Sequence, residues 1–297
     1  MIKVIAADMD GTLLNSEHTM SERTYQTILK AQKAGLRFMI ATGRDYPGAL
    51  GALGQRRLIC DFITGSGAEI RSERGNLLQT ITMDPAYFKE IYSCCEKVGG
   101  AIRFCANGTD YLIGDQETIE ERLLAESRVF LGKGTDEEIR EMKLFHQLME
   151  RVRCISSMEE VIRQNIPVYK IFISTPDGET AQKMREEMGK IPHLAVASSF
   201  YNNVELTDEK AQKGTAIRTY MESLGYGKEE VMVLGDSLND LSMFTEGFGA
   251  AVAMENAEPV IRDAAGYVTK SNDEDGAAYA IHLLMEGRLE QLRKITI

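Results

Sequence analysis

Residues 3 to 14 read Lys-Val-Ile-Ala-Ala-Asp-Met-Asp-Gly-Thr-Leu-Leu, an apolar run that is followed by two aspartates and a glycine. The apolar part, Lys3 to Ala7, predicts a buried strand. Asp10 and Gly11 between two apolar runs favour a tight turn, because glycine adopts positive φ without steric cost. Taken alone, the segment leaves open whether Asp8 and Asp10 are a reactive pair of carboxylates or only the polar edge of a turn.

The residues after this turn predict a helix and a second strand. Ser21 to Ala34 is the predicted helix, with Ser21 as its N-cap and Gly35 just past its end. Leu36 to Thr42 is the next apolar run, and it leads into Thr-Gly-Arg. A strand, a helix and a strand at this spacing form a βαβ unit, so we expect two parallel strands with a right-handed crossover.

The same pattern returns late in the chain. Lys213 to Gly225 predicts a helix that stops at glycine, and Val231 to Gly235 is a short apolar strand. Gly249 to Met254 predicts one more strand, with a helix that begins near Ala257. Both outer parts of the chain therefore predict an α/β fold with a doubly wound parallel sheet.

The middle of the chain alternates candidate strands with charged amphipathic helices. We expect an inserted α+β domain at residues 84 to 207, and a core formed by residues 1 to 83 and 208 to 297. The predicted strands of the insertion are Ala101 to Phe104, Tyr111 to Ile113, Tyr169 to Ser174 and Leu194 to Glu205. Its predicted helices are Pro85 to Val98, Thr118 to Glu126, Thr135 to Met149 and Gly178 to Gly189.

The composition of the 297 residues limits the classes of function. A net charge of −11 with dispersed basic residues argues against binding to nucleic acid or to an anionic membrane surface. No stretch approaches the ~18 apolar residues of a spanning helix, and the first residues lack a signal-peptide core, so we expect a cytoplasmic protein. The five cysteines and four histidines show no metal-ligand spacing, so any metal would be bound by oxygen.

Polar residues follow the predicted strands at their carboxyl ends, where open parallel sheets bind ligands. They are Asp8 and Asp10 after the first strand, Thr42 at the end of the second, and Asp-Ser-Leu-Asn-Asp at residues 236 to 240 after a later one. Lys213 lies in the first turn of a helix, where backbone N–H groups and the helix dipole favour an anion.

These residue types suit phosphoryl transfer. Asp8 and Asp236, with a backbone oxygen near Asp10, would supply the hard oxygen ligands that Mg²⁺ prefers. Lys213 and the Thr42 hydroxyl, together with the metal, would neutralise the charge when a carboxylate attacks a phosphate dianion. Asp8 would form an aspartyl-phosphate. Asp10 would protonate the leaving alcohol and then deprotonate the water that hydrolyses the intermediate.

Four segments, in this order, resemble the four motifs of the haloacid dehalogenase superfamily: residues 8 to 14, Ala-Thr-Gly-Arg at 41 to 44, Lys213-Gly214, and 235 to 240. The insertion between the second and third motifs resembles the Cof-type sugar-phosphatase branch (type IIB), whose αβ cap lies there. Residues 253 to 257 and 271 to 276 are similar to that branch as well. The resemblance implies a Rossmann-like core with a specificity-determining cap. It also implies a Mg²⁺-dependent phosphomonoesterase for a small phosphorylated metabolite, with a sugar phosphate as the leading candidate.

The resemblance also implies roles for individual residues. Asp8, Asp236 and the carbonyl of Asp10 would bind the metal, and Asp240 would support the metal shell or Lys213. The groups that would contact phosphate are Thr42, Lys213, Asn239 and the backbone amides at Met9 and Gly43. This chain has Ser66 where the branch often carries asparagine, so a substrate contact by that asparagine is not carried over.

Each of these residues also has an ordinary structural explanation. Thr42 is typical of a turn. Lys213 competes with Lys210, and a lysine near the start of a helix is usually a solvated side chain. Asp236 to Asp240 are typical of a helix N-cap with acidic residues in the first turn. Arg44 stays open between a structural ion pair and a role in the site. A phosphomutase or phosphotransferase with the same aspartyl-phosphate, a phosphate-accepting receiver and a non-catalytic regulatory module remain alternatives to hydrolysis. It is the joint occurrence of these residues at predicted strand and helix ends that favours catalysis.

Overall fold

The computed structural model describes residues 1–131 and 134–294. The chain divides into two compact units, one formed by Met1–Ile81 with Glu209–Ile297 and the other by Thr82–Asp208. The insertion predicted for residues 84 to 207 falls within the second unit. Among the described residues, none of the helices has the length and hydropathy that would let it cross a membrane.

The strands are β1 Val4–Ala7, β2 Arg37–Ala41, β3 Asp61–Thr64, β4 Glu69–Arg71, β5 Leu77–Thr80, β6 Ala101–Ala106, β7 Thr109–Ile113, β8 Val152–Ile155, β9 Lys170–Ser174, β10 Leu194–Ala197, β11 Asn203–Asp208, β12 Val231–Gly235, β13 Ala250–Ala253, β14 Tyr267–Val268 and β15 Arg293–Lys294. The α-helices are α1 Glu22–Lys33, α2 Tyr46–Leu53, α3 Phe88–Lys97, α4 Gln116–Leu131, α5 Asp136–Glu141, α6 Lys143–Arg151, α7 Met158–Arg163, α8 Gly178–Met188, α9 Lys213–Ser223, α10 Leu241–Thr245, α11 Pro259–Ala264 and α12 Gly276–Met285.

The first unit is built on one sheet with the strand order β15-β14-β13-β12-β1-β2-β3-β4-β5. Its interior strands run parallel, and antiparallel strands form both edges. In the centre, Ala7 lies opposite Ile40 of β2 and Leu234 of β12. All four residues of β1 are buried, as expected for a strand that is covered on both faces. The carboxyl ends of β1, β2 and β12 therefore meet at one edge of the sheet.

The crossover helix α1 begins where the sequence predicts. The Ser21 hydroxyl accepts a hydrogen bond from the Thr24 N–H at 2.9 Å, so it satisfies one of the free donors of the first turn. Ile28 and Ala31 are buried on the inner face, and Gly35 follows the helix with φ +91°. This cap and this glycine set the length of the connection between β1 and β2.

The second unit has its own sheet, with the strand order β10-β11-β9-β6-β7-β8. All neighbours are antiparallel except β7 and β8. Alternate residues of β6 and β9, including Phe104 and Ile171, face a core that α3 and α8 cover, and the rings of Phe88 and Phe104 lie 5.5 Å apart. The predicted fold class is confirmed: a doubly wound α/β core with an inserted α+β unit.

The structure corrects the prediction of one strand from Leu194 to Glu205. The segment forms two antiparallel strands, β10 and β11, with Ala197 opposite Glu205. The reversal is stabilised by Asn203, whose side-chain oxygen accepts hydrogen bonds from the N–H groups of Ser199 and Phe200 at 3.1 and 3.0 Å. From the sequence, the cluster of Tyr201, Asn202 and Asn203 is explained equally well by a turn or by a functional role, and the structure shows the turn.

The predicted helix from Thr135 to Met149 is also wrong, because it breaks at Met142, whose backbone is extended. Ile139 and Phe145 are both buried in one apolar cluster with Leu112. Six residues apart on a continuous helix, these two side chains would point about 120° apart. The break lets both pack into the same cluster.

Candidate active site

The acidic turn after β1 is fixed by the backbone. The Asp8 N–H donates to the Leu234 carbonyl at 2.9 Å, which ties it to β12, and only 3% of Asp8 is exposed. Gly11 adopts φ +76°, and the N–H groups of Leu13 and Leu14 both donate back to the Met9 carbonyl, at 3.0 and 2.9 Å. The tight bend that the sequence predicts is therefore present, and it turns the chain immediately after Asp10.

Lys213 links the acidic groups. Its side chain is fully buried at the start of α9, and Nζ donates to Asp8 Oδ1 at 2.6 Å, Asp240 Oδ1 at 2.6 Å and Asn239 Oδ1 at 3.1 Å. These acceptors match the three donors of an ammonium group. Burial alone lowers the pKa of Lys213, but the charges of Asp240 and Asp8 outweigh burial and raise it above its ordinary value. The lysine is held in its charged form.

Asp240 shapes the loop that follows β12. While one carboxylate oxygen binds Lys213, Oδ2 accepts from the N–H groups of Asp236 and Ser237 at 2.9 and 3.1 Å. A side chain at Gly235 would lie 2.7 Å from that oxygen, so the glycine leaves room for the carboxylate. Asp240 thus holds both the lysine and the backbone that carries Asp236.

Asp8, Asp236 and Asp240 form an acidic cluster whose carboxylate oxygens lie within 4.8 Å of one another. Burial and the charge of Asp240 raise the pKa of Asp8 to about 7. Burial and the charge of Asp8 also raise the pKa of Asp236 well above its ordinary value. An all-oxygen set with excess buried negative charge fits a hard divalent cation such as Mg²⁺. The residues that could hold it include Asp8 and Asp236, as the sequence predicts.

The carboxylate of Asp10 lies outside this cluster. It receives two parallel hydrogen bonds from Arg44, Nε to Oδ2 and Nη2 to Oδ1, both at 2.7 Å. Burial raises the pKa of Asp10, but the Arg44 hydrogen bonds and charge outweigh burial and hold the pKa below its ordinary value. Sequence reasoning left Arg44 open between two roles. The structure brings it to the acidic turn itself.

The turn after β2 carries Thr42 and Gly43. The Thr42 side chain is buried, with Oγ1 accepting from the Arg44 N–H at 3.1 Å, and the Thr42 carbonyl accepts from the Ser66 N–H at 3.0 Å. Ser66 has φ +60°, which is uncommon for a residue with a side chain. The loop with Ser66 therefore packs directly against the predicted phosphate-binding turn.

Sequence reasoning missed Thr12 as a partner of Asp236. Its hydroxyl donates to Asp236 Oδ1 at 2.7 Å, and a side chain at Gly11 would lie 2.3 Å from Asp236 Oδ2. The only signal was the Gly-Thr pair beside the two aspartates, because no local pattern connects loops that follow neighbouring strands of one sheet but lie more than 200 residues apart in the chain.

A family model described as haloacid dehalogenase-like hydrolase matches residues 5–281. The chain belongs to this family. The match includes both outer segments of the first unit and the whole insertion, so the haloacid dehalogenase-like assignment covers every residue of the site described above. The chain is an enzyme of the hydrolase class.

Individual proteins of the family are similar over nearly the full chain. The 5-amino-6-(5-phospho-D-ribitylamino)uracil phosphatase YwtE of Bacillus subtilis (strain 168) is 30% identical over 292 residues, which are 97% of this chain and 99% of that protein. Phosphatase YwpJ of the same organism is 29% identical over 294 residues, 95% of this chain and 100% of the relative. These relatives are named as phosphatases.

Solved structures agree with the fold. A haloacid dehalogenase-like hydrolase from B. subtilis superposes with a TM-score of 0.82 at 28% identity and covers 95% of this chain and 100% of its own. A subclass IIB sugar phosphatase superposes with a TM-score of 0.71 at 22% identity, with 96% of this chain and 99% of its own covered. At that identity the second likeness supports the fold alone.

Proposed function

We propose that this hydrolase is a Mg²⁺-dependent phosphomonoesterase that cleaves a small phosphorylated metabolite, with a sugar phosphate as the first candidate, through an aspartyl-phosphate. The observation that carries the proposal is the buried arrangement of Asp8, Lys213 and the carboxylates of Asp236 and Asp240 at the end of the central strand. A carboxylate held beside an ammonium group and a cluster of oxygen ligands is the arrangement that in-line phosphoryl transfer needs.

Asp8 is the nucleophile in this proposal. Because Lys213 holds Oδ1 at 2.6 Å, Oδ2 is the oxygen that forms the bond to phosphorus while the bond to the leaving alcohol breaks. Lys213 keeps Asp8 oriented and offers positive charge to the transferring group. Water then attacks the phosphorus of the aspartyl-phosphate and releases inorganic phosphate and the free carboxylate.

The metal ligands in the proposal are Asp8, Asp236 and the backbone carbonyl of Asp10. A bound Mg²⁺ would neutralise phosphate charge and stabilise the charge on its oxygens during transfer. Asp240 keeps Asp236 and Lys213 in place through the hydrogen bonds of its two oxygens. The Thr42 hydroxyl would contact phosphate, together with the other groups proposed for it: Lys213, Asn239 and the backbone amides at Met9 and Gly43.

Asp10 serves as the acid and then as the base. Its contact with Arg44 favours the ionised form, which is the form that deprotonates water. Donation of a proton to the leaving alcohol requires the protonated form. The Arg44 contact therefore has to loosen before the first chemical step and can re-form for the second.

The relatives guide the choice of substrates. YwtE is named for a phosphorylated ribitylamino compound, so both a polyol phosphate of that kind and hexose phosphates belong in the test. We also propose that the insertion, residues 84 to 207, sets the preference among them, because small differences in pocket shape decide specificity.

A phosphate-release assay tests the proposal. Wild type and Asp8→Asn are compared over hexose phosphates, pentose phosphates and 5-amino-6-(5-phospho-D-ribitylamino)uracil, with Mg²⁺ and with EDTA. We expect release by wild type that depends on Mg²⁺, and a loss of roughly 10⁴-fold or more in Asp8→Asn. Hydroxylamine added during turnover should convert the acyl phosphate into a hydroxamate on Asp8, which mass spectrometry can locate.

The matched control is Asp177→Asn, the same substitution at the N-cap of α8. Asparagine and aspartate are about equally favourable at an N-cap, so the helix should keep its cap. It should leave phosphate release unchanged. Equal release by wild type and Asp8→Asn would refute the proposal. An isomerised sugar phosphate without phosphate release would instead identify a phosphomutase.

A further inference from the structure

A short segment after β13 contacts both loops that carry the acidic cluster. The Asn256 side chain donates from Nδ2 to the Gly11 carbonyl at 2.9 Å. Two residues further on, the Glu258 N–H donates to the Asp236 carbonyl at 2.8 Å. The turn after β1 and the loop after β12 are therefore held by one piece of chain.

The two loops also contact each other at this place. Thr12 Oγ1 donates to Asp236 Oδ1 at 2.7 Å. A Cβ atom at Gly11 would lie only 2.3 Å from Asp236 Oδ2, so this position has no room for a side chain. The Gly11–Thr12 peptide thus forms the surface against which the Asp236 carboxylate lies. A displacement of the Gly11 carbonyl would move this surface and change the direction of the carboxylate.

Asn256 is itself held by a second asparagine. The Asn272 N–H donates to Asn256 Oδ1 at 3.0 Å, and Asn272 Nδ2 donates to the Leu14 carbonyl at 3.0 Å. The Gly11 carbonyl can only accept a hydrogen bond, and the Asn272 N–H can only donate one. A carboxamide with one donor end and one acceptor end satisfies both, which alanine and aspartate do not.

From these contacts we infer that Asn256 is a positioning residue for the cation site. It acts through Gly11 and Thr12 on the orientation of the Asp236 carboxylate, as hydrogen-bond partners beyond the ligands do in other metal sites. The inference rests on the proposed function, because it presupposes that Asp236 binds the metal. It gives a role to residues 253 to 257 and 271 to 276, which the proposed chemistry does not use.

The stability of the protein reports this effect without any turnover. A ligand that binds only the folded state stabilises it by RT ln(1 + [L]/Kd), so the dependence of Tm on Mg²⁺ gives the Mg²⁺ concentration of half-occupancy, which is called the Mg²⁺ midpoint below. We expect Asn256→Ala to raise the Mg²⁺ midpoint by roughly 10-fold. Asn256 is exposed, so we expect only a small change in the Tm of the metal-free protein.

Asn202→Ala is the matched control. Its Nδ2 also donates to a backbone carbonyl, that of Thr175 at 3.2 Å, but it belongs to the second unit, whereas the acidic cluster is built by residues of the first unit. It should change the metal-free Tm as little as Asn256→Ala does and leave the Mg²⁺ midpoint unchanged. A Mg²⁺ midpoint of Asn256→Ala equal to that of wild type would overturn the inference.

A double-mutant cycle gives a second, independent measurement. If Asn256 acts through Thr12, the midpoint of Asn256→Ala with Thr12→Val should rise by less than the product of the two single effects. A fully multiplicative effect would mean that the residues act separately and would overturn the inference. Failure of the proposed function has a different signature, since wild type itself would then show no Tm rise with Mg²⁺ and no phosphate release.

Discussion

At the scale of single residues, the site depends on one buried ammonium group. Lys213 contacts two carboxylates of the acidic cluster and is fully buried. Removing one partner of such a group leaves a charge without compensation in a low-dielectric region, which costs far more than the loss of an ion pair on the surface. The lysine therefore contributes to stability as well as to the proposed chemistry.

We predict that Lys213→Met lowers the free energy of unfolding of the metal-free protein by roughly 3–5 kcal/mol, because Asp8 and Asp240 then repel each other without a cation between them. Chemical denaturation measures this change. The matched control is Lys183→Met, which removes an exposed pair with Glu179 on α8 and should change stability little. Similar losses for both variants would contradict a special role for the buried lysine.

Much of the site could be predicted from the sequence, because strand ends are visible as apolar runs that stop at polar residues. Asp8, Asp236 and Lys213 were proposed in this way, and the structure brings them together. The sequence leaves Arg44 open between a structural ion pair and a role in the site, and it predicts neither the contact of Arg44 with Asp10 nor that of Thr12 with Asp236. Those contacts depend on side-chain direction and on the register of neighbouring strands, which local patterns do not contain.

At the scale of elements, close packing holds α9 at its place. A side chain at Gly214, the second residue of α9, would lie 2.2 Å from the Ser242 carbonyl of α10, and the Gly214 N–H donates to the Ser242 hydroxyl at 2.9 Å. The first turn of α9 therefore approaches α10 as closely as a backbone can. Since Lys213 precedes this glycine, the contact fixes the position of the ammonium group.

Replacing glycine by alanine should have opposite effects on the free energy of unfolding at two helical positions, Gly51 and Gly214. Alanine is favoured over glycine in a helix by roughly 0.8–1 kcal/mol. Gly51 of α2 has no heavy atom within 4 Å of an added Cβ, so we expect Gly51→Ala to raise the free energy of unfolding. Gly214→Ala has to push α9 away from α10, so we expect it to lower both stability and phosphate release. Thermal unfolding and the phosphate assay check this; stabilisation by both variants would refute the packing argument.

Elements with regular apolar patterns were predicted from the sequence, and interruptions were not. The α1 helix with its Ser21 cap and the strands around it agree with the prediction. The break at Met142 and the turn before Asn203 do not, because each is decided by a cluster or a hydrogen bond that forms only in the folded chain.

At the scale of the whole molecule, the acidic cluster links stability to pH and to metal. The folded pKa of Asp8, raised to about 7 by burial and by Asp240, lies above the unfolded value of about 3.9. Between these values the folded state binds a proton that the unfolded state does not. Asp8 therefore stabilises the metal-free protein at low pH, and this contribution to the free energy of unfolding is lost as pH rises through about 7.

We predict that the same Mg²⁺ concentration raises Tm more at pH 8 than at pH 5.5. Protons compete with the metal for Asp8 at the lower pH, and the deprotonated carboxylates repel one another at the higher pH until a cation binds. Thermal unfolding at both values, with Mg²⁺ or EDTA, measures the difference. Asp8→Asn should reduce this pH dependence and leave the part that Asp236 contributes. A Mg²⁺ effect that is equal at both values would contradict the linkage.

The strand order of the larger sheet has a consequence for how the chain folds. In β1, Val4 lies opposite Arg37 of β2 on one side and opposite Val231 of β12 on the other. The strand β12 is therefore synthesised only after the whole insertion. Residues Thr82–Asp208, in contrast, are continuous in sequence and have their own core. During synthesis, which proceeds from the N-terminus, the inserted unit can therefore complete its contacts first. The acidic turn after β1 gains its partners on β12 and at Asn256 late, so phosphate chemistry is among the last properties that the growing chain acquires.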